Sequence, residues 1–249
     1  MSGHSKWHNI RLRKGAQDAR KGKVFTKLAR EIIVAAKEGG GNPDTNTRLR
    51  LAVEKAREAS MPVDNIKRAI QRGTGEGDDA ANYQEMVYEG YGPGGTAIMV
   101  SVLTDNKNRT VSDLRAIFSR NGGSLGETGC VAWMFDSRGL IAVPVDQVDE
   151  DRLLEIALEA GADDVRTEEE SFEVLTAPED FVQVRDAIAA AGIEPASAEV
   201  TMLPKSTVKL EGKEAEQVLR MMDMLDDHDD VQEVYANFDI SDRDLEAAA

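Results

Sequence analysis

A dense group of basic side chains near the start of the chain is the feature best suited to chemistry. Nine Lys and Arg residues fall within residues 6–30, and Asp18 is the only acid before residue 31. Like charges at helical spacing repel one another by about 0.2–0.5 kcal/mol per pair, so an anionic partner would offset a real cost. Phosphate groups are such a partner. The nine cations are Lys6, Arg11, Arg13, Lys14, Arg20, Lys21, Lys23, Lys27 and Arg30.

The charge of the chain is divided between its two parts. Residues 1–75 hold 17 Lys and Arg against 7 Asp and Glu, whereas residues 76–249 hold 13 against 39. The formal net charge of −16 therefore hides a cationic N-terminal part. The acidic remainder would repel nucleic acid and restrict how it docks. Three interpretations of the basic group stay open: contact with nucleic acid, a solvated arm, and docking on the protein's own acidic part.

Other residue patterns offer little for metal binding or catalysis. His4 and His8 stand four residues apart, as two ligands on one helix face would, but no third ligand accompanies them. Cys130, the only cysteine, lies in an apolar run, which favours a buried hydrophobic role over a reactive thiol. No nucleophile, base and orienting group come together in the sequence. We therefore expect no cofactor, no metal and no enzymatic activity, although distant carboxylates can converge in a fold.

Three polar segments are predicted to be connections. The glycine-rich stretch 90–95 precedes an apolar strand rather than a helix, so it is predicted to be a hairpin connection and not a phosphate loop. The acidic stretch 226–230 lacks the spacing of a calcium loop and is predicted to be a solvated turn. The polar stretch 104–110 precedes a helix predicted near 111–120. Thr110 or Asn108 is expected to cap that helix, and Arg109 is expected to project into solvent.

Apolar periodicity predicts three helices in the basic part. The first covers about residues 19–37, where apolar side chains recur at helical spacing. Asn42 resembles an N-cap for a second helix over 43–59, because Pro43 would then take the first helical position. The third helix is predicted over 62–72. We therefore expect a basic helical domain of residues 1–75.

The remaining elements predict two further domains. Residues 83–135 are predicted to contain two strands, a helix and a last strand at 131–135. Residues 206–240 are predicted to contain a strand at 207–210, a helix and a strand at 231–238, which would complete the same sheet. Between these halves, residues 138–204 have the order βαββαβ of a ferredoxin-like unit. The expected fold class is α+β, with a small all-α N-terminal domain and two ferredoxin-like α/β domains, the third inserted in the second.

Blocks throughout the sequence closely resemble the YebC family. The resemblance covers nearly the whole chain and implies a three-domain fold and a cytoplasmic regulator of gene expression without enzymatic activity. Family members are described as DNA-binding transcriptional regulators, whereas the mitochondrial relative is a translational activator and some bacterial members are linked to ribosomes stalled at proline-rich sequences. The resemblance therefore leaves the nucleic acid open. The blocks include Ser2 to Ile10, Arg13 to Ala19, Gly22 to Leu28, Leu49 to Ala56, Met61 to Ile66, Arg72 to Gly75, Tyr88 to Gly95, Thr104 to Asn106, Asn108 to Thr110 and Asn121 to Gly123.

The leading hypothesis is a nucleic-acid-binding regulator. Trp7 either stacks on a base or anchors the arm on its own domain. The helices 43–59 and 62–72 resemble a helix-turn-helix pair that presents Lys67, Arg68 and Arg72 to a groove. Phosphate contacts are assigned to Lys6, Arg11, Arg13, Lys14, Lys21, Lys23 and Lys27.

The basic N-terminal part and the acidic remainder suggest different binding partners. Duplex DNA is one candidate, and rRNA or tRNA on the ribosome is the alternative, since a basic arm suits either backbone. In a second class of function, the acidic domains would bind a basic protein partner. No run of about 18 apolar residues occurs, and the first thirty residues lack the apolar core of a secretory signal. We expect a cytoplasmic protein without a membrane partner.

Overall fold

The computed structural model describes residues 18–75, 83–168 and 171–241, with side chains described from residue 22 onward. The chain divides into two compact units. One unit is Trp133–Ser206, and the described residues on either side of it form the other. Helices combine with mainly antiparallel sheets, which confirms the predicted α+β class. The domain bounds remain a prediction, because residues 1–17 and 76–82 lie outside the described residues.

Three helices open the larger unit. They are α1 (Asp18–Gly39), α2 (Thr47–Glu58) and α3 (Val63–Thr74). Apolar side chains from all three, among them Ile33, Leu49 and Ile66, form one buried cluster. A Cβ at Gly73 would lie 2.5 Å from the carbonyl oxygen of Ile33, so α3 can approach α1 this closely only with glycine there.

The start of α2 differs from its prediction. Asn46, not Asn42, is the N-cap, and its side chain accepts a hydrogen bond from Leu49 N at 3.0 Å. The same side chain donates to Ala35 O and Gly40 O, each at 2.8 Å. Asn46 is buried and ties the end of α1 to the start of α2. Asn42 instead accepts from Asp44 N in the preceding turn.

The next elements along the chain belong to a four-stranded sheet. They are the strands β1 (Gln84–Tyr91), β2 (Ala97–Thr104) and β3 (Ser124–Leu125), and the helix α4 (Lys107–Arg120) lies between β2 and β3 in the chain. β1 and β2 are antiparallel neighbours, with Tyr91 opposite Ala97, so the glycine-rich stretch between them is the predicted hairpin connection.

The smaller unit contains β4 (Phe135–Pro144), α5 (Glu150–Glu159), β5 (Asp164–Thr167), β6 (Ser171–Thr176), α6 (Phe181–Ala190) and β7 (Ser197–Pro204). These elements follow the βαββαβ order along the chain that the sequence predicts. Their sheet has the antiparallel strand order β5-β6-β4-β7. Ile141, Val174 and Ile188 belong to the cluster that the two helices and the sheet bury between them.

The chain then returns to the larger unit through β8 (Val208–Leu210), α7 (Gly212–Asp226), β9 (Val231–Ala236) and β10 (Phe238–Ile240). β9 pairs with β2 and completes the sheet, giving the order β3-β1-β2-β9. β8 does not join that sheet as predicted but pairs in parallel with β10. The predicted strand 231–238 is broken at Asn237, whose buried Oδ1 accepts a hydrogen bond from Ala97 N at 2.8 Å.

The apolar run 131–135 is not the strand that the sequence predicts. Ala132–Met134 forms a 3₁₀ turn, and the backbone N–H groups of Gly129, Val131 and Ala132 donate to the buried carboxylate of Glu89 at 2.7–2.8 Å. These donors are therefore unavailable for strand pairing. Burial acts to raise the pKa of Glu89, but the three amide donors outweigh it and hold this pKa below its usual range.

Candidate nucleic-acid interface

Three cations of α1 lie along one face of the helix and contact an acidic turn, residues 226–230, which joins α7 to β9. Lys23, Lys27 and Arg30 are spaced by four and three residues, and such spacing places side chains on one side of a helix. We call these three residues the cation row. Their partners were predicted to form a solvated turn, so the structure corrects that interpretation of residues 226–230.

The two lysines contact the C-terminal end of α7. Lys27 Nζ lies 3.1 Å from Asp226 Oδ1 and 2.6 Å from Asp226 O. Lys23 Nζ lies 3.5 Å from Asp227 Oδ1 and 3.2 Å from Asp227 O. The last carbonyl groups of a helix lack partners within the helix and carry its negative dipole end. Carboxylates and carbonyls therefore both favour cations at this position.

Arg30 contacts the other end of the acidic turn. Its Nη1 lies 2.9 Å from Asp230 Oδ1 and also donates to Asp229 O. Its guanidinium lies 5.4 Å from the ring centroid of Tyr83, within range of a cation–π contact. Arg30 thereby contacts both Tyr83, just before β1, and the acidic turn.

Asp230 is the centre of a buried polar cluster. Its side chain is 2% exposed. Arg109 Nη2 donates to Asp230 Oδ2 at 2.9 Å, and the hydroxyls of Thr104 and Thr110 lie 3.2 and 2.7 Å from the same oxygen. Burial alone would raise the pKa of Asp230, but hydrogen bonds from Arg109 and Thr110, with the charges of Arg109 and Arg30, hold this pKa below its usual range. The carboxylate therefore stays ionised inside the fold.

This cluster corrects two predictions about the start of α4. Arg109 does not simply project into solvent, because it pairs with both Asp105 and Asp230. The N-cap of α4 is Asn106, which accepts from Arg109 N at 3.1 Å, whereas Thr110 is buried against Asp230. Sequence reasoning missed Asp230 and Arg109 as a pair. Their separation of 121 residues leaves no local signal that joins them.

The cationic face of α3 has a different environment. Lys67, Arg68 and Arg72 are exposed, and none of them forms an ion pair with a carboxylate in the part of the chain that the structure describes. Arg68 donates to Asn65 Oδ1, a neutral partner on the same helix. Arg57 on α2 is also exposed. Three cations of one helix are therefore oriented toward solvent.

The predicted contact residues thus fall into four sets. Lys23 and Lys27 are paired with the acidic turn, and Lys67, Arg68 and Arg72 are exposed. The backbone of Lys21 lies within α1, but its side chain is not described. Outside the described residues lie Lys6, Trp7, Arg11, Arg13 and Lys14.

Within residues 18–75, 83–168 and 171–241, no group of three or more His, Cys, Asp or Glu side chains lies in an arrangement suited to a metal ion. Over the same ranges, every helix is too short or too polar to span a membrane.

The fold and the site together define a class of protein in which a basic helical region is joined to an acidic α+β body. Residues 5–76 match the family model described as the TACO1/YebC protein N-terminal domain, and residues 83–238 match the model described as the TACO1/YebC second and third domain. The chain belongs to the TACO1/YebC family.

Curated relatives agree with this assignment. A protein of Pelotomaculum thermopropionicum is 58% identical, over 97% of this chain and the whole of the relative, and one of Geotalea uraniireducens is 58% identical over 99% of each. Both carry the name probable transcriptional regulatory protein. A crystal structure of a conserved hypothetical protein from Aquifex aeolicus is 46% identical, with a TM-score of 0.81 over 90% of this chain and 93% of that one.

Proposed function

We propose that this protein is a non-enzymatic, cytoplasmic regulator of gene expression that binds duplex DNA through its basic helical region. The observation that carries the proposal is the exposed cationic face of α3, where Lys67, Arg68 and Arg72 have no carboxylate partner among the described residues. The relatives' name, probable transcriptional regulatory protein, supports the regulatory role.

Charge distribution supports a single docking side. The helical region belongs to the part of the chain with 17 cations against 7 acids, and the remainder has 13 against 39. A polyanion is attracted to the first part and repelled by the second, so the charges orient the encounter. Side chains of α3 then supply phosphate contacts, and the four residues 59–62 between α2 and α3 form the turn of a helix-turn-helix-like pair.

Charge reversal of α3 tests the proposal. We expect the variant K67E/R68E/R72E to bind a labelled duplex DNA about a hundredfold more weakly at low salt, if each cation contributes about 1 kcal/mol. The slope of log K against log salt concentration should become shallower by about 3, because about three fewer counterions are released. Fluorescence anisotropy over a salt series measures both quantities.

A matched control separates this effect from net charge. Arg115, Arg120 and Arg152 are exposed cations outside the helical region, so R115E/R120E/R152E carries the same charge change. The control should lose much less affinity. Equal loss in the two variants would contradict the assigned face. Tighter binding of the parent to an RNA hairpin of the same length would overturn DNA as the target while retaining nucleic-acid binding.

A further inference from the structure

The ion pairs of the cation row become less exposed to solvent from Lys23 toward Arg30. The outer pair, Lys23 with Asp227, has side chains 47% and 63% exposed, whereas Lys27 and Asp226 are 15% and 18% exposed. At the inner end, Arg30 is 15% exposed and Asp230 only 2%. Water and salt screen an exposed ion pair far more than a buried one. The contact should therefore open from the Lys23 end, with Arg30 and Asp230 remaining joined.

The acidic turn offers α1 the same chemistry as a phosphate backbone. Carboxylate and carbonyl oxygens of the turn accept from all three cations: Asp227 from Lys23, Asp226 from Lys27, and Asp229 O with the Asp230 carboxylate from Arg30. Phosphate oxygens accept from Lys and Arg in the same way. While the lysines contact the turn, these donors are unavailable to a nucleic acid. Phosphates and the acidic turn are thus alternative acceptors for the same ammonium groups.

The contact also contains an unsatisfied group. Arg30 Nε is buried and has no hydrogen-bond acceptor in the part of the chain that the structure describes. A buried donor without a partner disfavours the state that contains it. Because Arg30 stays with Asp230 when the lysines leave the turn, this cost is the same in both states and does not change the competition for Lys23 and Lys27.

We propose that the acidic turn is an intramolecular competitor of nucleic acid, which occupies Lys23 and Lys27 until phosphates displace it. The inference rests on the proposed function and adds a regulatory device to the same site. Arg30 and Asp230 hold α1 in place in both states. The lysines exchange Asp226 and Asp227 for phosphate oxygens, so the turn lowers the apparent affinity for nucleic acid.

Neutralising the two outer carboxylates tests the proposal. D226N/D227N keeps the size of both side chains and leaves Asp230 intact. We expect this variant to bind duplex DNA at least about fivefold more tightly than the parent, within the usual range of coupling between two sites. Its salt slope should become steeper by up to about 2, because two more cations reach phosphates.

The control is D146N/D151N, which removes two exposed carboxylates elsewhere and changes the net charge equally. An equal gain in both variants, or no gain in D226N/D227N, would overturn the competitor. Asp226 is partly buried, so thermal unfolding confirms that the double variant folds. D227N alone changes a mostly exposed side chain and should show a smaller gain in the same direction.

A second pair of variants links the gain to the lysines. In the parent, where the turn competes for both lysines, K23Q/K27Q should weaken DNA binding only slightly. In the D226N/D227N background, where the lysines are free to contact phosphates, the same substitutions should weaken binding by a several-fold larger factor. Equal weakening in both backgrounds would overturn the competitor and leave the proposed function standing. A parent that binds no duplex DNA or RNA would instead overturn the proposed function, and the inference with it.

Discussion

Asp230 keeps its charge in the interior because donors from three segments of the chain surround it. Arg30 comes from α1, Thr104 from the end of β2, and Arg109 with Thr110 from α4. Each donor loses a strong charge-assisted partner if the carboxylate is removed. One aspartate therefore determines how the helical region and the four-stranded sheet meet.

The first prediction concerns this residue. D230N should reduce the free energy of unfolding by about 3 kcal/mol, because the amide leaves two guanidinium groups with a weaker partner in a buried site. Urea unfolding measures the change. D229N is the matched control, since that side chain is exposed and only its backbone oxygen contacts Arg30. We expect the control to stay within about 0.5 kcal/mol of the parent.

The pH dependence follows from the lowered pKa of Asp230. A carboxyl group whose pKa is lower in the folded state stabilises the fold above its unfolded pKa, near 4, and loses that contribution as pH falls through the folded pKa. The stability difference between the parent and D230N should be full at pH 7 and shrink below about pH 4. A difference that stays constant down to pH 2 would contradict this assignment.

At the scale of elements, local patterns determine how much the sequence predicts. The helix predicted over 19–37 is α1, and the βαββαβ order of the smaller unit is found in full. The spacing of apolar residues indicates a helix and a short apolar run indicates a strand, and both patterns can be recognised within a short segment of sequence. In contrast, the run 131–135 has the composition of a strand, but its amide groups donate to Glu89, more than 40 residues earlier. No local pattern contains that contact.

In the candidate site, too, local features were predictable from the sequence and contacts between distant residues were not. The sequence indicated a cationic helix, and α1 is one. It assigned Lys27 to phosphates, whereas the described structure pairs Lys27 with Asp226, 199 residues away. Docking on the protein's own acidic part was one of the three open interpretations, and the row of contacts supports it for the described cations. Choosing among such distant partners requires the fold.

The second prediction concerns the junction of α1 and α2. N46A should lower the free energy of unfolding by about 2 kcal/mol or more, because it removes an N-cap acceptor and two donors to carbonyl oxygens. Thermal and urea unfolding measure the loss. N46D retains the acceptor for Leu49 N but places a carboxylate oxygen against the carbonyl oxygens of Ala35 and Gly40 in a buried site, so it should be no more stable than N46A. N42A, at an exposed turn position, should cost about 0.5 kcal/mol. Equal losses at both positions would contradict the assigned cap.

At the scale of the whole molecule, the smaller unit begins and ends at one place. Phe135, at the start of β4, is the register partner of Pro204, at the end of β7. Lys205 Nζ also lies 3.1 Å from Asp136 Oδ1. Adjacent ends and a separate apolar cluster allow a segment to be inserted in a chain without changing the fold of its host.

The third prediction follows from these adjacent ends. A fragment of residues 133–206 should fold alone and unfold in one cooperative transition, because its apolar cluster is complete within the fragment. Circular dichroism during urea and thermal unfolding tests this. V174D places a charge in the buried cluster and should abolish the transition. A parent fragment without cooperative unfolding would show that the unit depends on the rest of the chain.

The distance along the chain between α1 and its acidic partners has a consequence for synthesis. Asp226 is added 199 residues after Lys27, which takes roughly 10–40 s at ordinary rates of translation elongation. During that interval the basic helix has left the ribosome while the carboxylates that it contacts in the finished protein do not yet exist. A nascent chain therefore presents its lysines to any nearby phosphate polymer before the acidic turn can compete for them.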